Sequence, residues 1–262
     1  MQLNLNKKSY AIKLISVISL TAVSGLVQAN EPVDWSGQYA GVALGVVAGK
    51  VNPDVEATDG NYFNTENLTD LKSTFSQGFS ANDMSATFIY GYQWQQENWV
   101  YGVETNLFVS NFSSKKGENA HVYENTPTIS YGYSERVENK FGISIKPKVG
   151  YAFDNMLINF SVGPVLSKFK YTFNFDDTNS SYDITGKHTD SKWALGVATG
   201  LDFNYKMDND YVLYASYLYT YYPDVVDGKS GLDEPNSSWT DEVKHDASFS
   251  SHTFSVGLVK YF

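Results

Sequence analysis

Glu104, Lys146, Lys148 and Asp202 interrupt runs of small residues and share the polar side of an alternating pattern. Carboxylates and ammonium groups gathered at one height in a cramped interior must pair, because an unpaired buried charge costs several kcal/mol. The chemistry they predict is therefore a salt-bridged plug. His121, His188 and His245 fall one each in three polar stretches. Imidazoles bind metal ions and haem, so these are candidate ligands, set against plain coincidence in polar loops. Ser250 and His252 are two apart and share one face of an extended chain. A nucleophile with its base needs a third, orienting acid, and only Asp246, whose placement the sequence leaves open, offers itself. The chain holds no cysteine, phosphate loop, zinc-ligand cluster or calcium-loop spacing. No catalytic residue, cofactor or metal is expected.

The elements that would position these groups are strands. In "WALGVATGLDFNYK", Trp193, Leu195, Val197, Thr199, Leu201, Phe203 and Tyr205 alternate with Ala194, Gly196, Ala198, Gly200, Asp202, Asn204 and Lys206. One face suits lipid, with aromatic ends; the other suits a narrow lumen. The pattern recurs over 36–49, 83–94, 99–112, 135–153, 156–175, 192–206, 211–222 and 248–262, which makes eight strands. The connectors 95–98, 154–155 and 207–210 are short and rich in Asn and Asp, whereas 50–82, 113–134, 176–191 and 223–247 are long and polar. That asymmetry predicts an all-β, eight-stranded antiparallel up-and-down transmembrane barrel, its short turns periplasmic and its long loops outside. Counted up from the short turns, Glu104, Lys148 and Asp202 lie at similar heights.

Two strands carry irregularities. In "MLINFSVGPVLSKFKYTFNF" the apolar set steps from Leu166 to Phe169, which predicts a bulge near Ser167 or Lys168. Pro147 and Pro164 cannot donate to a ladder, so local defects are expected there. Lys260 falls on the apolar face of the last strand, near its end, where a long stem reaches the interface.

Residues 1–29 read as a signal peptide: Lys7, Lys8 and Lys13, then an apolar run from Leu14 to Val27, short of the about 20 residues a helical span needs, then Ala29 as the cleavage position. Cleavage removes three lysines and no acid, taking the net charge from −10 to −13 and leaving the barrel as 30–262. Aromatics make up 16% of the chain without any later helical apolar run, which suits a barrel with aromatic rims over a soluble sandwich. The acidic loops argue against nucleic acid as a partner. Tyr62, Phe63 and Trp239 are candidate loop anchors for an extracellular partner of unread identity.

The segments "WSGQYAGVALG", "GYQWQQENWVYGVE", "KPKVGYAF", "YVLYASYLYT" and "HTFSVGLVKYF", in that order, resemble the small "porin family" and opacity-type surface antigens of Gram-negative bacteria, of the alphaproteobacterial outer-membrane type. The resemblance implies an eight-stranded barrel in the cell outer membrane, with outer-membrane lipid around it. It further implies insertion by the barrel-assembly machinery through the terminal strand and Phe262. For function it implies a structural, envelope or adhesin-like surface role. A haemin- or metal-binding surface protein or a weak porin is the alternative, and a lipid A-modifying barrel enzyme a more distant one. Lys260 departs from the apolar residue usual at that place.

Overall fold

The computed structural model describes residues 33–58, 60, 62–63, 65–123, 126–177, 184–233 and 240–262. The expected signal peptide with Ala29, and Trp239, lie outside the described residues. Among the described residues the chain forms strands β1 (Gly37–Ala57), β2 (Phe79–Gln96), β3 (Trp99–Ser110), β4 (Ser113–Tyr123), β5 (Thr126–Phe153), β6 (Met156–Asp177), β7 (Ile184–Lys206), β8 (Tyr211–Asp233) and β9 (Glu242–Tyr261), with one α-helix, α1 (Thr65–Phe75), between β1 and β2. All pairings are antiparallel, and both β1–β9 and β3–β5 ladders are present, so the sheet closes on itself.

Nine strands make an eight-stranded circuit because β3 and β4 are successive halves of one wall position. β3 pairs with the part of β5 from Phe141 to Tyr151, and β4 with the part from Thr126 to Glu138. The break falls at Asn111 and Phe112, where the Phe112 ring turns into the interior against Phe249.

Near the short turns, the outward residues are apolar: Val42, Leu44 and Val46 on β1, Val103 and Leu107 on β3, Leu195, Val197 and Leu201 on β7, and Phe254, Val256 and Leu258 on β9 are all exposed. Trp94, Trp99, Tyr151, Tyr205 and Tyr211 rim this belt at the turn end, and Trp193, Tyr219 and Tyr221 at the other. A closed sheet satisfies its backbone internally, and an apolar belt between aromatic rims matches a bilayer. The short turns take positive φ at Glu97 (55°), Asp154 (51°), Asn209 (61°) and Asp210 (62°), and Asp and Asn are the types that tolerate it.

The strands continue well past the belt. β5 runs for 28 residues and β7 for 23, against the about 9–11 of a tilted span. Much of the sequence expected as outer loops is therefore wall. There the inward parity continues but the apolar residues change face: Phe169, Tyr171, Phe173 and Phe175 of β6 are buried, while Lys168, Lys170 and Asn174 face solvent. The expected bulge in β6 is not found, since its register with β7 is continuous from Met156 to Asp177. The step from Leu166 to Phe169 marks the exit from lipid, where apolar groups change from the outer to the inner face. The bulge is on β5, at Lys140, between the pairs Asn139–Phe169 and Phe141–Lys168. The β5–β6 ladder is also interrupted between Ser144–Val165 and Lys148–Ser161, the stretch holding Pro147 and Pro164. Lys260 sits at the turn end of the belt, facing out over the rings of Tyr211 (5.3 Å) and Phe262 (5.9 Å).

Candidate functional site

The lumen is filled at two levels. At the lower one, alternation on β3, β5 and β7 turns Glu104, Lys146, Lys148 and Asp202 inward, and all four are buried. Lys148 Nζ lies 2.8 Å from Glu104 Oε2 and 3.4 Å from Asp202 Oδ2, and Lys146 Nζ lies 3.4 Å from Glu104 Oε1. Two ammonium groups thus face two carboxylates, and the cluster is neutral. Tyrosines complete it: Tyr39 donates to Glu104 Oε2 (3.0 Å) and Tyr214 to Asp202 Oδ1 (2.9 Å), with Ser216 donating to the same oxygen (2.8 Å). Below, Tyr261 stacks on Tyr39 at 5.2 Å and meets Trp35 edge-on, while Gln93 donates to the Trp35 carbonyl and the Tyr261 hydroxyl. Gly91 leaves room for this lid: a Cβ there would lie 2.3 Å from Tyr39 Cζ. The tyrosines went unread in the sequence, although the parity of β1 alone turns Tyr39 inward.

Above the charges lies a cavity of about 50 Å³, lined by inward hydroxyls such as Ser85, Ser110, Thr220 and Ser251. It ends at the second obstruction, an aromatic core of Phe112, Phe169, Tyr222 and Phe249 that continues upward through Phe173, Phe175, Tyr131 and Phe63. Helix α1 enters this core. Its Leu71 and Phe75 are fully buried, and the Phe75 ring meets Tyr131, Tyr133, Phe173 and Phe175.

Lys116 of β4 closes the helix C-terminus, where carbonyls lack intrahelical partners. It donates to the carbonyls of Thr74 (3.2 Å), Phe75 (2.5 Å) and Gln77 (2.7 Å) and pairs with the buried Glu135 at 3.2 Å. Burial raises the Glu135 carboxyl to about 7, with Lys116 opposing the shift. The preceding loop is tied by Asp241, which accepts from the backbone N–H groups of Tyr62 (3.1 Å) and Phe63 (2.9 Å). Tyr62 and Phe63 are therefore not exposed anchors: Phe63 is in the core, and the Tyr62 hydroxyl donates to Asp177.

The three candidate histidines lie on strands, not in loops. His188 of β7 and His245 of β9 stack with ring centroids 4.8 Å apart and planes 8° from parallel. Gly228 of the intervening β8 permits this, since a Cβ there would come within 2.5 Å of His188 Nε2. Tyr171 and Ser230 hydroxyls lie 3.3 and 2.9 Å from the two nitrogens of His245, and burial holds its imidazole down to about 3, with His188 adding to the shift. His121, on β4, instead contacts Glu118 (2.9 Å), Thr74 (3.4 Å) and the Tyr131 ring. Among the described residues, no group of three or more His, Asp or Glu side chains could hold a metal ion. Ser250, His252 and Asp246 do not form a relay: His252 Nδ1 lies 2.7 Å from the Tyr217 hydroxyl, and Asp246 pairs with Lys244 at 2.8 Å.

The closed sheet, the apolar belt and the aromatic rims define the class, a transmembrane β-barrel of the outer-membrane type. A scan against protein-family models matches no family, and a search of the curated proteins matches none. Among solved structures, the chain is similar to the outer membrane protease OmpT from Escherichia coli, at TM-score 0.46 and 12% identity over 90% of this chain and 99% of that one. It is also similar to Neisserial surface protein A, at 0.33 and 14% over 84% and 99%, and to Ail, the attachment invasion locus protein of Yersinia pestis, at 0.33 and 11% over 86% and 99%.

Proposed function

We propose that this chain is a closed outer-membrane surface protein of the opacity-type porin family, with a structural or adhesin-like role carried by its projecting half. The observation that carries this reading is the double obstruction of the lumen, a neutral charge cluster below and an aromatic core with α1 above. Eight strands enclose little more than their own inward side chains. A chain that extends strands of up to 28 residues beyond the bilayer and fills the space between them with a packed core builds a rigid platform outside the cell. The role is one of binding an extracellular ligand and not of catalysis. Removal of residues 1–29, and insertion by a barrel-assembly machinery that reads the strand ending at Phe262, belong to the same proposal.

Planar-bilayer conductance of the refolded protein, alongside capture of surface ligands by the same preparation, tests it. The expected result is an electrically silent barrel. A large, stable wild-type channel would overturn the closed reading.

A further inference from the structure

One wall of the barrel gathers several exposed cations side by side. Just above the belt, β5 and β6 turn Arg136, Lys140, Lys168 and Lys170 outward, all exposed, and Lys115 of β4 stands opposite Arg136. The rows are regular. Lys168 lies between Phe141 and Trp193, Lys170 between Glu138 and Ser191, and Arg136 beside Thr172. Directly below come Leu166 and Leu195, exposed and inside the belt.

Three features separate this patch from an ordinary solvated face. First, its charges lack partners: only Lys140 has one, Glu138 at 3.3 Å, and among the described residues no carboxylate lies within ion-pair distance of Lys115, Arg136, Lys168 or Lys170. Elsewhere Lys72, Lys229, Lys244 and, on the adjoining β7, Lys192 are each paired with Asp or Glu, and the exposed Lys50 and Lys187, which are in no ion pair among the described residues, stand singly. Second, the bulge on β5 sets Lys140 and Phe141 outward in succession, adding a cation beside Lys168 that regular alternation would have buried. Bulges serve to re-aim side chains in this way. Third, a chain of net charge −10 concentrates these positive groups where its surface meets the outer leaflet.

We infer that this wall is a binding site for a lipid of the outer leaflet bearing a phosphorylated headgroup. Its acyl chains would lie on Phe141, Leu166, Trp193 and Leu195, and its phosphate would be held by Arg136, Lys140, Lys168 and Lys170. Anionic headgroups attract Lys and Arg that stand at the interface, and Arg grips a phosphate with two parallel N–H bonds. The continuity of the patch with the belt favours a lipid over a soluble polyanion. The inference rests on the transmembrane reading above.

The test uses the full folded protein in neutral detergent, with native mass spectrometry to count retained lipid. The probes are lipid A and its dephosphorylated form, which share their acyl chains. Wild type should retain the phosphorylated form at least tenfold better. The variant with Arg136→Gln, Lys140→Gln, Lys168→Gln and Lys170→Gln should lose that preference, whereas Lys50→Gln with Lys229→Gln, on other walls, should keep it. Equal retention of the two probes, equal loss in the control variant, or displacement by dextran sulfate as complete as by lipid A would overturn the inference. Insertion into phosphatidylcholine vesicles is followed in parallel; failure to insert would remove the transmembrane reading itself.

Discussion

Lys148 has two carboxylates to satisfy and is itself satisfied only by them and Tyr39. Removing it leaves buried Asp202 without the ammonium it pairs with and Glu104 with Lys146 as its remaining cation. Lys148→Met should therefore destabilise the barrel by about 3–5 kcal/mol, read as the urea midpoint in micelles, whereas replacing the whole cluster by apolar residues of similar volume should cost little. A second residue-scale prediction concerns pH. The Glu135 carboxyl is raised from its ordinary 4.5 to about 7, so its stabilisation is complete below about 4.5 and lost as pH rises through 7. The His245 imidazole is lowered from 6.5 to about 3, so its stabilisation is complete above about 6.5 and lost as pH falls through 3. The titratable neighbours are Lys116 and Tyr171 for Glu135, and His188, Tyr171 and Asp246 for His245. Hydrogen exchange of the projecting half should show wild type weakening at both ends of the range. Glu135→Gln should remove the loss toward pH 8, and His245→Phe the loss toward pH 4; unchanged profiles would contradict the assignments. The four lumen charges could be located from strand parity and distance to the turns. The histidine pair could not, because its meeting depends on a ring crossing over Gly228 on a third strand.

Helix α1 has 11 residues, too few to hold together in water without packing. Its stability comes from Leu71, Phe75 and the Lys116 bonds to its last carbonyls. Phe75→Ala should cost about 3–5 kcal/mol and release exchange protection over 65–75, while the belt strands stay protected. Equal loss of protection in both would mean that the helix and the barrel are one cooperative unit. The signal for this helix is local and weak: Leu68, Leu71 and Phe75 recur at helical spacing within an otherwise polar stretch expected as a loop. Most expected strands end at the rim of the belt. β1 was expected over 36–49 and runs to Ala57, and β7 was expected from 192 and starts at Ile184. The cause is physical: apolar residues mark the outward face inside the membrane and the inward face above it.

The whole molecule is a barrel with two seals in series. Conduction should therefore need both to be broken. Glu104→Ala with Lys148→Ala should remain silent in planar bilayers, as should Leu71→Ala with Phe75→Ala, and only the four changes together should pass current. A channel from either pair alone would show that the other seal does not block. The outer wall is asymmetric as well, with four cations over β5 and β6, of which Lys140 alone is in an ion pair among the described residues, and paired charges over β8 and β9.

Local pattern by itself determined that this chain crosses a bilayer with strands. Period-two alternation, aromatic strand ends and the contrast of short with long connectors express the solvent on each side of a strand, and a strand needs no distant partner to express it. The tertiary structure decided what closes the lumen and what stands above it. The Phe75 ring meets β5 and β6, Lys116 joins a helix to a strand wall, and a bulge at Lys140 shifts a face of the sheet. Each depends on residues far apart in sequence arriving at one height, which register and barrel closure fix and local pattern does not.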